Sequence, residues 1–167
     1  MNPEKITIST ASPPGHDAAF KLYVPDTITT ATPPPNLADS DGLRILFLDD
    51  EEELVLMATN VLERWGYRVT GFTTAAEALA ALRAAPNSFD LMVTDHNMPG
   101  MSGIDVSHEI TMLRLGLPVI LTSGNLTDEL FAEAREAGIQ QLLPKPYTME
   151  EVCQAILRQM NPAERKP

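Results

Sequence analysis

The amino-acid sequence predicts an α/β fold, a doubly wound parallel sheet of five strands in the order 2-1-3-4-5. Three observations lead there. Between residues 43 and 160, apolar strand-like runs alternate five times with helical patterns, the mark of repeated β–α units. The first, third and fourth runs are nearly unbroken in apolar residues, as strands buried on both faces of a parallel sheet must be. Right-handed crossovers between parallel strands leave few topologies. The order 2-1-3-4-5 puts a ligand crevice beyond the carboxyl ends of the first and third strands.

The strand-like runs are 43–48 (LRILFL), 67–72 (YRVTGF), 89–93 (FDLMV), 118–122 (PVILT) and 140–143 (QQLL). After the first, Leu54, Met57, Ala58, Val61, Leu62 and Trp65 recur at spacings of three and four, and Gly66 stops that helix. An alanine-rich helix is expected from Ala75 to Ala84, a third from Ile104 to Leu115, and a fourth from Asp128 to Ala137 with Gly138 as its stop. The last runs from about Met149 to Met160, with Thr148 and Glu151 at capping-box spacing.

Upstream the composition changes. From Pro25 to Asn36, PDTITTATPPPN holds eight Pro or Thr in twelve positions, an extended and solvated linker taken to cover 26–42. The whole chain has 167 residues, is 44% hydrophobic and carries a formal charge of -11. That charge argues against non-specific binding to nucleic acid or to an anionic membrane. One cysteine, Cys153, excludes an internal disulfide. No apolar run approaches the roughly 20 residues needed to span a bilayer, and MNPEKITIST lacks the apolar centre of a signal peptide. A cytoplasmic protein is expected.

The chemistry collects where the apolar runs end. The first ends in Asp49-Asp50-Glu51, the third in Thr94-Asp95, the fourth in Thr122-Ser123-Gly124 and the fifth in Pro144-Lys145-Pro146. A lone Asp after a strand is ordinarily a turn former or helix cap. Four strand ends that bring carboxylates, a hydroxyl and an ammonium to one edge need another explanation. Clustered carboxylates repel unless a cation is present. A few hard oxygen ligands suit Mg²⁺, and no zinc-like Cys/His spacing exists. A carboxylate beside Mg²⁺ and Lys can attack phosphorus and form an acyl phosphate.

In order and spacing, LFLDDE, TDHNMPGMSG, PVILTSGN and LPKP resemble the motifs of the response-regulator receiver domain, a flavodoxin-like fold, over residues 43 to 160. The resemblance implies that Asp95 accepts a phosphoryl group from a sensor histidine kinase or a histidine-phosphotransfer protein. It implies that Asp50, Asp95 and the Asn97 carbonyl bind Mg²⁺, with Asp49 acting through water. Ser123 would hydrogen-bond the phosphoryl group, Lys145 would pair with it, Gly124 would leave the site open, and Lys145–Pro146 would be cis. One departure is Leu142, which stands where the family commonly has an aromatic signalling residue. His108, within SHEIT, resembles a kinase phosphohistidine motif but is expected to be a solvated helix residue, and His96 a pocket-rim residue. Two rival readings are a phosphohydrolase with an Asp nucleophile, against which Asn97 fills the place of the usual second acid, and a docking module that is never phosphorylated.

ITISTASPPGHDAAFKLYVP partly resembles the terminal hairpin of histidine-kinase ATP-binding domains. By that resemblance residues 1–25 are a kinase remnant, 26–42 a linker, 43–160 the receiver and 161–167 a tail. The chain would then be the carboxyl end of a hybrid sensor kinase or derived from one, with its output directed to another protein.

Overall fold

The computed structural model describes residues 42–113 and 116–160. The hairpin, most of the linker, the tail and the last two residues of the expected third helix lie outside the described residues. Five units follow one another: β1 (Arg44–Leu48), α1 (Glu52–Arg64), β2 (Arg68–Phe72), α2 (Ala75–Ala84), β3 (Leu91–Asp95), α3 (Gly103–Leu113), β4 (Val119–Ser123), α4 (Asp128–Glu136), β5 (Gln141–Pro144) and α5 (Met149–Met160). All strand pairs are parallel and the order is β2-β1-β3-β4-β5, as expected.

Alternation along the strands divides the core in two. Leu46 and Leu48 of β1, Met92 of β3 and Val119 and Leu121 of β4 face α2, α3 and α4. Ile45, Phe47, Leu91, Val93 and Ile120 face α1 and α5. Each central strand therefore needs apolar residues at successive positions, which explains the unbroken runs.

Strand ends differ from expectation most in β3, which runs 91–95 rather than 89–93. Asp90 is instead held at the amino edge, where Arg44 donates to both its carboxylate oxygens at 2.9 and 2.7 Å and through its backbone amide at 3.0 Å. At the other end, Thr94 and Asp95 stay in the strand because pairing with β4 continues through Asp95↔Thr122.

Helix starts follow side-chain chemistry. Thr74 and Thr127 accept from the backbone amides of Glu77 and Leu130. Thr148 and Glu151 cap one another's backbone amides, the box expected from spacing. Ser102 and Asp105 do the same at the start of α3, and the Ser102 hydroxyl and amide, both donating to Asp105 Oδ2 at 2.7 and 3.0 Å, lower the Asp105 pKa.

Candidate functional site

The sheet brings Asp49, Asp95, Ser123 and Lys145 to its carboxyl edge: two of them end β3 and β4, and the others directly follow β1 and β5. Asp49 is 1% exposed and Asp95 3% exposed. Lys145 Nζ donates to Asp49 Oδ2 at 2.7 Å and lies 2.9 Å from Asp95 Oδ1. Backbone bonds from Lys145 to the Ser123 carbonyl (2.8 Å) and from His96 to the Thr122 carbonyl (2.8 Å) carry the sheet pairing one step beyond the strands. The Lys145–Pro146 peptide bond is cis.

Both carboxylates accept further hydrogen bonds. Asp49 Oδ1 accepts from the Glu51 amide at 3.1 Å, and Asp95 Oδ2 from the Asn97 amide at 2.8 Å. The Thr122 hydroxyl donates to Asp95 Oδ1 at 3.3 Å. A small residue is required beneath this arrangement. A Cβ at Gly103 would overlap the Asp95 carbonyl oxygen and come within 2.6 Å of Leu121 Cδ1, so the start of α3 packs directly on the end of β3.

The electrostatics are lopsided. Burial acts to lower the Lys145 pKa, but its hydrogen bonds to Asp49 and Asp95 overtake that effect and hold the ammonium above its usual value. Burial raises the Asp49 pKa, and the bonds from Lys145 and the Glu51 amide offset it only in part, while the neighbouring Asp95 charge pushes the same way as burial. One cation serves two buried anions, with Asp50 exposed next to them.

Among the described residues no group of three or more His, Cys, Asp or Glu is drawn together as a metal cage. The donor chemistry nonetheless fits a small hard cation. Asp49, Asp50, Asp95 and the Asn97 carbonyl offer only oxygens, and their charge exceeds what Lys145 neutralises.

The other expected residues fall into place unequally. Ser123 is buried, and its hydroxyl is engaged with Asn125, donating to the carbonyl and accepting from the amide, both at 3.2 Å. A Cβ at Gly124 meets nothing within 4 Å, so the mouth of the crevice is open there. His108 is exposed on α3, while His96 is half-buried with Nδ1 lacking a partner. Tyr147, two residues past Lys145, has its hydroxyl buried without a completed hydrogen bond, and burial above all pushes its pKa up to about 12. A surface groove lies elsewhere, between α4 and β5, lined by Phe131, Arg135, Ile139 and Leu142 among others, and none of its lining residues is acidic.

Residues 45–157 match the response regulator receiver domain family. A two-component response regulator of Arabidopsis thaliana, ARR14, is 35% identical over 111 residues, which is 66% of this chain but 29% of that protein. The chain thus spans less than a third of the length of this curated relative. A response regulator receiver domain protein from Clostridium thermocellum shares the fold with a TM-score of 0.67 at 29% identity, covering 73% of this chain and 97% of the other. Chemotaxis protein CheY4 of Vibrio cholerae gives 0.67 at 26% identity, with 71% and 98% covered.

Proposed function

The chain belongs to the response regulator receiver domain family, and from that premise we propose that Asp95 is its phosphoacceptor. The observation that carries the reading is the Asp95 carboxylate itself, buried at the carboxyl end of β3 with a shared lysine and a second buried carboxylate beside it. The donor in this reading is a phosphohistidine on a sensor histidine kinase or a histidine-phosphotransfer protein, met in the cytoplasm.

In the forward step an Asp95 carboxylate oxygen attacks phosphorus in line. The phosphorus–nitrogen bond of the donor breaks and its electron pair returns to the imidazole. Mg²⁺, when bound, neutralises the charge that the carboxylates and the phosphoryl oxygens would otherwise bring together. Asp50, Asp95 and the Asn97 carbonyl are the residues to hold it, with Asp49 behind a water. Lys145 is already aimed at Asp95 and needs only a small movement to follow the phosphoryl oxygens. Ser123 reaches them by exchanging its bond to Asn125 for one to phosphate. Gly124 leaves the approach clear.

The test is labelling with acetyl phosphate and Mg²⁺, read by intact mass. Wild type should gain one phosphoryl group, and Asp95→Asn, which keeps the shape but removes the nucleophile, should gain none while melting as wild type does. Equal labelling of the Asn variant would assign the acceptor elsewhere. Steady turnover of p-nitrophenyl phosphate would instead favour a phosphohydrolase.

A further inference from the structure

Asp95 has a partner that phosphoryl acceptance alone does not require. Thr122, buried on β4 and paired with Asp95 in the strand register, aims its hydroxyl at Asp95 Oδ1 from 3.3 Å. That is longer than the roughly 2.5–3.0 Å usual for an O–H···O bond, so the contact has room to tighten as negative charge grows on the oxygen. A threonine hydroxyl has one proton to donate, and Thr122 gives it to Asp95.

We propose that Thr122 is a positioning residue that hastens the loss of phosphate from Asp95. The inference rests on the reading of Asp95 as phosphoacceptor. In the discharge step a water oxygen attacks phosphorus in line and the bond from phosphorus to the Asp95 oxygen breaks. The electron pair of that bond returns to the carboxylate, the water gives up a proton to solvent, and inorganic phosphate leaves. The returning charge spreads over both carboxylate oxygens, and at Oδ1 it meets Thr122 and Lys145 already in place. Donors fixed before the charge arrives need no reorganisation.

The full chain is loaded with acetyl phosphate and Mg²⁺, freed of the donor, and followed for phosphate loss on a phosphate-affinity gel. Thr122→Val keeps the side-chain shape without the hydroxyl and should decay about tenfold more slowly. Thr122→Ser should decay close to the wild-type rate. Wild-type or faster decay in Thr122→Val, or slow decay in Thr122→Ser, would overturn the proposal. If wild type takes up no phosphate, the phosphoacceptor reading fails separately. The Thr122 contact is then judged by the ¹³C carboxyl signal of Asp95, which must move in Thr122→Val and return towards the wild-type position in Thr122→Ser. A signal unmoved in Thr122→Val overturns it.

Discussion

Asp49 and Asp95 are both almost wholly removed from water, yet a single ammonium serves them. Two buried carboxylates this close are costly unless more positive charge arrives, and that shortfall is the physical basis for expecting Mg²⁺. Their parts differ. Asp50 is exposed at the crevice, whereas Asp49 is committed to Lys145 and the Glu51 amide. An outer-sphere partner is worth roughly 10–100-fold in metal affinity, so Asp49→Ala should weaken Mg²⁺ binding by about tenfold and Asp50→Ala by more. Titration calorimetry on both variants checks this, and equal losses would contradict the assigned roles. Two exposed amides, Asn97 and Asn125, border the mouth of the crevice. Both can orient an attacking water but neither is a strong base. Asn97→Leu and Asn125→Leu should each lengthen the phosphorylated lifetime several-fold by excluding that water, and unchanged decay in both would remove them from its control. The acids and the lysine were legible in the sequence because each follows an apolar run. The part of Thr122 was not, because it depends on strand register, which residue spacing does not encode.

At the scale of elements, periodicity placed each strand and helix of the described residues but blurred the ends. The run ending at Val93 looked complete because Thr94 and Asp95 are polar, and polar residues ordinarily leave a strand. Here they stay because β4 supplies their backbone partners. The same strand end constrains α3. Replacing Gly103 with Ala would drive a methyl group into the Asp95 carbonyl and Leu121. Overpacking of this kind costs about 1–3 kcal/mol, so Gly103→Ala should lower the melting temperature by several degrees and slow labelling of Asp95 by displacing it. A variant with wild-type melting and labelling would mean that α3 shifts away freely. On the opposite face α5 buries Cys153 completely, with its Sγ 3.2 Å from the Tyr67 hydroxyl. Burial pushes the thiol pKa up and the Tyr67 contact opposes it only partly. Thiolate is the reactive form, so a thiol reagent at pH 8 should modify Cys153 only as fast as the protein unfolds. Rapid modification of the native protein would show that α5 opens locally.

For the molecule as a whole, everything the proposed chemistry uses lies within one sheet and its two covering layers. Among the described residues, the buried members of both core clusters fall between Ile45 and Ile156, and each acid, hydroxyl and lysine at the crevice is held by an element of that sheet. The sequence changes from Pro/Thr-rich to regular apolar patterning near Gly42, and a solvated linker and a two-faced core demand opposite compositions. We propose on that basis that residues 43–160 form an autonomous receiver. A chain shortened by residues 1–40 keeps every strand, helix and side chain on which labelling depends. Its rate of labelling by acetyl phosphate should match the full chain, and its melting temperature should agree within about 2 °C, the shift that roughly 0.5 kcal/mol produces in a domain of this size. A labelling rate preserved alongside a much lower melting temperature would show that the first 40 residues pack on the receiver and stabilise it. Loss of both would move the domain boundary upstream of Gly42.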